Sequence, residues 1–217
     1  MRNKKVLRLA HIQAPYAYKD CRSCMTHAEM EHVDVLARIL HGKRIIHINA
    51  TDTDGGAAHM LQSLVPFEKR LGLKSVWRVL AVGAPFLFVT RKIQQELQGL
   101  RVRLSDNEWK LYLEQSKDIG NVLAGIPADI VVIHDVDFLA AGHFADMSAK
   151  RVLFMHTPVS FVNSKSGLRL LPYQATYQRF FINSISAAPA DSDEEKAFLL
   201  SQKALGFLEL YVELLEI

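Results

Sequence analysis

Cysteine is scarce in this chain. Only Cys21 and Cys24 occur among 217 residues, which excludes a disulfide framework and fits a reducing compartment; a cytoplasmic location is expected. Long apolar runs are missing as well. The most continuous, "ADIVVIHD" from Ala128, is far too short to span a bilayer. The opening "MRNKKVLRLAHIQAPYAYKD" is basic but has no sustained apolar stretch, so neither a secretory signal nor a membrane partner is expected. Excess charge is also lacking: the formal net charge is +3 and the basic residues are scattered. Without a Lys/Arg stripe interleaved with aromatics, nucleic acid is not the expected partner. The patterns GxGxxG and GxxxxGK[ST] are both absent, which removes the usual dinucleotide and P-loop readings.

What remains is an ordinary globular composition, 49% apolar and 23% charged, on a chain long enough for a proper core. Residues 1–42 read as a helical leader. In it, Thr26 and Glu29 have capping-box spacing, Met30, Val33, Ala37 and Leu40 share one helical face, and Gly42 stops the helix. From Lys43 strands and helices alternate. "KRIIHINA", "KSVWRVLAV", "ADIVVIHD", "RVLFMHT" and "FINSISAA" read as strands. Between them, "AAHMLQSLVPFEKRLG", kinked or broken at Pro66, reads as a helix, as do "PFLFVTRKIQQELQG", "SDNEWKLYLEQSKDIGNVLAG" and "LPYQATYQRF". "HFADMSAKR" is a short helix or a loop. The alternation predicts an α/β fold: a Rossmann-like parallel sheet with helices on both faces, over residues 43–190. Residues 191–217 form C-terminal helices with a joint at Gly206. Their apolar residues cover more than half the circumference. A second apolar strip therefore either meets a homodimer or another partner, or lies in a deep groove of the chain's own domain.

Candidate site residues cluster where strands end. In a doubly wound sheet, ligands sit beyond the carboxyl ends of the strands. The loop "NATDTDGGAA" follows one such end, and Gly55 and Gly56 would let its backbone approach a ligand closely. Asp52 and Asp54 in the loop would repel a pyrophosphate. They either cap the following helix or accept hydrogen bonds from the hydroxyls of a neutral polyol. His134 with Asp135, and His156, close two further strands. Each is either a hydroxyl-binding or proton-handling group or an ordinary strand-end residue. Gln94 and Gln95 either bond a polyol or form an exposed helix face. Cys21, Cys24, His27 and His32 are too compressed for a zinc finger, and no metal is expected.

The colinear segments "RIIHINATDTDGGAAHMLQSLVPFEKRLG", "FLFVTRKIQQELQG", "LSDNEWKLYLE" and "ADIVVIHD" resemble the start of the glycosyltransferring trehalose synthases, retaining glycosyltransferases of the GT-B fold. The resemblance covers residues 43–145. It implies the acceptor-side, N-terminal domain of a two-domain enzyme, with a sugar or polyol as ligand and a nucleotide sugar such as UDP- or ADP-glucose as donor substrate. It implies no further cofactor and no protein nucleophile. The chain length fits the first domain only, so activity would need a donor domain from a further chain. The alternative is a non-catalytic sugar-binding or protein-interaction module of the same fold. Several positions depart from the family pattern: Asp54-Gly55-Gly56 replaces a three-glycine loop, Gln94-Gln95 replaces His-Asn, and Val136-Asp137-Phe138 replaces Pro-Gln-Pro. After the next strand only His156 survives of Arg-Cys-His-Ile-Asp. On the resemblance these departures line the cleft, whereas the matching residues pack the core.

Overall fold

A computed structural model describes residues 6–12, 22–53, 55–156, 159–161, 163–182 and 193–216. Among the described residues six strands form one sheet: β1 (Val6–Leu9), β2 (Arg44–Asn49), β3 (Lys74–Ala81), β4 (Ile130–His134), β5 (Lys150–Met155) and β6 (Arg179–Ile182). Their order is β1-β3-β2-β4-β5-β6. All neighbours from β3 to β6 are parallel, and β1 alone runs antiparallel, Val6 opposite Ala81 and Leu9 opposite Arg78. The helices are α1 (His27–Leu40), α2 (Gly56–Arg70), α3 (Ala84–Leu97), α4 (Asp106–Ala124), α5 (Leu139–Phe144), α6 (Lys165–Gln174) and α7 (Asp193–Leu215). A 3-10 turn, Val136–Phe138, joins β4 to α5.

Two cores flank the sheet. On one side α1, α2 and α7 pack on Ile45, Ile130, Val132 and Val152. On the other, α3 to α6 pack on Ile46, Ile48, Val131, Ile133 and Leu153. Strand β4 is buried along its whole length, which accounts for its unbroken apolar run. Helix starts follow local chemistry. Thr26 opens α1 and Ser105 opens α4, each with a reciprocal capping box through Glu29 and Glu108. Glu108 also accepts from Lys92 of α3 at 2.7 Å. That bond, with the cap, holds its carboxyl down at about 2.

Several expectations change. Residues 6–9, assigned to a helical leader, form an edge strand of the sheet, while α1 packs its apolar stripe into one core. Pro66 does not break α2, which runs through it. The lost N–H costs one helical bond, while buried Leu64, Val65 and Phe67 hold the flanking turns on the sheet. Gly206 is no joint, for α7 is continuous from 193 to 215. Ala204, Phe207 and Leu208 on either side are fully or almost fully buried, and packing outweighs the roughly 1 kcal/mol that a helical glycine costs. The apolar residues after Gly206 enter the chain's own core: Leu210, Tyr211 and Leu214 are buried, and Val212 and Leu215 pack against them. The groove reading thus holds for Leu210, Tyr211 and Leu214, while Phe198 near the start of the helix stays exposed. Helix α6 starts at Lys165 and stops at Gln174, ahead of the predicted segment. Strand β6 begins at Arg179, two residues early, and the rest of "FINSISAA" lies outside the described residues, as does Cys21. Among the described residues no helix is long and apolar enough to cross a membrane.

Candidate functional site

Strand order decides where a crevice opens. The connection through α2 carries the chain from β2 to β3 on one side, and α3 and α4 then carry it back across β2 to β4 on the other. The two connections diverge at the carboxyl ends of β2 and β4, the topological switch point at which ligands enter open α/β sheets. Three expected site segments meet here: the loop before α2, Asp135 after β4, and His156 after β5. A Cβ on Gly56 would stand 4.0 Å from the Cβ of His156.

The loop of residues 50–55 is held from behind. Asp52 takes both oxygens to Arg8 of β1, at 2.6 and 2.7 Å, and accepts the His11 N–H at 2.9 Å. The Arg8 bonds, with that N–H, keep its carboxyl far below the ordinary range. Gln62 donates to the carbonyls of His11 and Asp52, and Asn49 donates to that of Thr51. Asp52 thus does not cap α2; it fastens the loop to the edge strand. The N-cap of α2 is Gly55, at φ 91°, with no side-chain cap, and its first turn holds no acidic residue. Asp54 lies outside the described residues.

Asp135 is the strained point of the crevice. Its φ of 61° and ψ of 178° fall in a region that is almost confined to glycine. That turn ends β4 at His134, so Asp135 leaves the strand alternation and stays at the mouth. Its N–H donates to the Phe154 carbonyl at 2.9 Å, and its Oδ1 accepts the His156 N–H at 2.9 Å. Burial, with nearby Asp137, pushes its carboxyl up to about 7 despite that bond.

His134 and His156 belong to a longer row that sequence reading did not find. His47 Nδ1 lies 3.0 Å from His134 Nε2, and His134 Nδ1 lies 2.8 Å from His156 Nε2. At the inner end, His47 Nε2 is 3.1 Å from Glu68 Oε2. Tyr211 donates to Glu68 Oε1 at 2.9 Å, and Ser75 donates to Oε2. Sheet register explains the row. His47 stands opposite Val132 and His134 opposite Phe154, so each histidine is two residues farther along than its neighbour's partner. All three therefore share the face toward α2 and α7 and step diagonally to the carboxyl edge. Burial lowers His134 well below the ordinary imidazole range and His156 to about 3, aided by His156 and His47 around His134 and by Lys203 and His47 around His156. Both rings are neutral near pH 7.

Gln94 and Gln95 lie elsewhere, half-buried in the second half of α3. The next residue, Glu96, accepts the N–H groups of Lys165 and Ser166 and the Ser166 hydroxyl, so this end of α3 anchors the start of α6. A cavity of about 460 Å³, lined by Arg44, Gly125 and Asp146 among others, opens near the start of β2, at the edge opposite the crevice. Among the described residues no group of three or more His, Cys, Asp or Glu is arranged to hold a metal ion.

Comparison with known proteins gives the same frame. The trehalose synthase of Pyrococcus horikoshii is 25% identical over 197 residues, 90% of this chain and 48% of that protein. That of Rubrobacter xylanophilus is 35% identical over 121 residues, 55% and 29% of the two chains. The chain thus spans about half the length, or less, of the curated relatives it matches. A solved structure described as trehalose-6-phosphate from E. coli bound with UDP-2-fluoro glucose gives a TM-score of 0.52 at 16% identity, over 75% of this chain and 43% of that one. An OtsA apo structure gives 0.51 at 16% identity, over 76% and 44%. At such identities the likeness is one of fold, here the GT-B domain. The family model for the trehalose synthase N-terminal domain matches residues 47–188, well past the segment ending at 145, and the chain therefore belongs to the trehalose synthase N-terminal domain family, as a trehalose synthase-like glycosyltransferase N-terminal domain.

Proposed function

We propose that the crevice between the ends of β2, β4 and β5 binds a sugar or related neutral polyol as the acceptor side of a hexosyl-transfer site, with a nucleotide sugar such as UDP- or ADP-glucose as donor. One observation supports this reading most: Asp135 is held in a glycine-like conformation at the switch point, with its carboxyl group tied to the main chain of His156, the residue that borders Gly56 of the glycine loop. Strain of this kind costs about 1–3 kcal/mol and persists where it serves a site. Asp135, with a carboxyl that titrates near neutrality, can accept from one hydroxyl and donate to another. His156 adds a neutral imidazole. The backbone N–H groups of Gly56 and Ala57, at the uncapped start of α2, supply further donors. None of these groups demands a charged ligand, which favours a polyol. The relatives named as trehalose synthases favour a sugar. The neighbour described with bound UDP-2-fluoro glucose makes a nucleotide sugar the reasonable donor.

Residues Gly55, Gly56, Asp135 and His156 form this proposed site. His134 supports it from behind, and Gln94 and Gln95 would take part only where an extended ligand reaches α3. Transfer requires a donor held against the acceptor, so residues 1–217 by themselves should turn over no UDP- or ADP-glucose, and a donor-binding domain is what would complete the site.

The test is a titration of the purified chain with glucose, trehalose and myo-inositol, followed by backbone NMR. Shifts that saturate at Gly56, Asp135 and His156, and vanish in Asp135→Gly, are expected. Titrations that leave all three unmoved would refute a sugar site.

A further inference from the structure

The histidine row has a direction, and the residue that sets it is remote from the crevice. Glu68 is completely buried. Such a carboxylate survives only when its lone pairs are filled. It is filled by the Tyr211 hydroxyl, the Ser75 hydroxyl and His47 Nε2. With both hydroxyls donating to it, Glu68 is the acceptor toward His47 as well, which places the His47 proton on Nε2. In a ring with one proton its Nδ1 is then a lone pair and accepts from His134 Nε2–H. His134 Nδ1 in turn accepts from His156 Nε2–H. One proton per ring satisfies every contact in this order. The reverse order, with all protons on Nδ1, would need Glu68 to donate, and its two hydroxyl donors oppose that.

We propose that Glu68, acting through His47 and His134, is a positioning residue that fixes His156 as the Nε2–H tautomer and leaves its Nδ1 as a hydrogen-bond acceptor at the crevice. The row spans three adjacent strands at 2.8–3.1 Å, with Glu68 from α2 and Tyr211 from α7 at its inner end. Packing alone gives no reason to place six polar side chains, His47, His134, His156, Glu68, Ser75 and Tyr211, between the sheet and the helices that cover it. Charged groups around His156 do not reverse the order: Lys203 of α7 is a donor, and the Asp135 carboxylate is engaged by the His156 main chain. This inference rests on the sugar reading for its purpose, since a ring that accepts at Nδ1 suits a hydroxyl donor. Its geometry does not depend on that reading.

Histidine side-chain ¹H–¹⁵N spectra of the sugar-free chain test it. The wild type should show His47, His134 and His156 each as a single Nε2–H tautomer, with N–H···N couplings between His47 and His134 and between His134 and His156. Glu68→Gln keeps the shape but can donate to His47 Nε2, so His156 should lose its single tautomer and gain the Nδ1–H form. Tyr211→Phe removes one donor and leaves the carboxylate, so the tautomer should stay. A wild-type His156 with its proton on Nδ1, or mixed, overturns the proposal. So does a folded Glu68→Gln chain in which His156 keeps its single Nε2–H form. Because no sugar is present, a failure here is distinct from failure of the sugar titration. Should Glu68→Gln not fold, the wild-type spectrum still decides.

Discussion

The His156 main-chain N–H donates to Asp135 Oδ1 at 2.9 Å, so the side chain that closes one strand holds the backbone that leaves the next. Asp135 contributes that bond from a backbone conformation suited to glycine. Replacement by glycine and by alanine therefore separates two effects. Asp135→Ala keeps the strain and loses the bond, whereas Asp135→Gly loses the bond and releases the strain. The glycine variant should be the more stable of the two by about 1–2 kcal/mol, read from urea unfolding. Equal stabilities would mean that the turn carries no strain.

The two glycines of the loop should respond differently to alanine. Gly55, at φ 91°, has open space around a built Cβ, so Gly55→Ala carries backbone strain alone, about 1–2 kcal/mol. At Gly56 a Cβ makes an ordinary contact with His156, and Gly56→Ala should be neutral within about 0.5 kcal/mol. Gly56→Leu should leave the fold intact and abolish the sugar-induced shifts by filling the mouth. Denaturant midpoints and the same titration check all three.

Stability should fall in acid, and the crevice residues act with opposite sign. His134 and His156 have folded values below the ordinary 6.5 or so, His156 at about 3. Their contribution is full above about pH 6.5 and is lost as pH falls. Asp135 is raised to about 7, so its protonated form is favoured by folding. Its contribution is full below about pH 4 and is lost as pH rises through 7. His156→Gln should therefore flatten the acid limb, and Asp135→Asn should steepen it and remove the decline toward neutrality. Each group alters the slope by at most about 1.4 kcal/mol per pH unit. Urea unfolding at a series of pH values gives the slopes directly.

Gly120 tests the layer behind the crevice. A Cβ there would stand 2.9 Å from the Phe144 backbone carbonyl carbon, so α4 and α5 touch backbone to backbone. Gly120→Ala should destabilise by about 1–3 kcal/mol, despite the better helix propensity of alanine. A thermal midpoint equal to the wild type would refute that close contact.

Much of this was legible in the sequence, for definite reasons. β4 could be placed because its apolar run is buried on both faces, and α1 and α4 because Thr26–Glu29 and Ser105–Glu108 announce their starts. His134, Asp135 and His156 could be nominated because each closes an apolar strand. His47 was overlooked because it lies inside its strand, two residues before the end. Glu68 reads as the first residue of the exposed run Glu68-Lys69-Arg70. Helical phase places it with Leu61, Leu64 and Val65 on the buried stripe, and that was the available signal. Tyr211 was counted only as an apolar residue, since its hydroxyl partner is 143 positions away and no local pattern reports such a distance. β1 is four residues long and antiparallel, and its reason for being there, Arg8 on Asp52, is equally remote.

The link from Tyr211 to Glu68 also orders events on the ribosome. Every strand, and each of the other groups in the histidine row, has been synthesised before residue 211 emerges. Until α7 docks, Glu68 lacks its second hydroxyl donor and one core lacks its cover. Up to that point the nascent domain therefore carries an exposed apolar face, and water takes the place of the Tyr211 hydroxyl on Glu68. Chaperone capture should be longest at that stage, and the interval should end when α7 closes over the row.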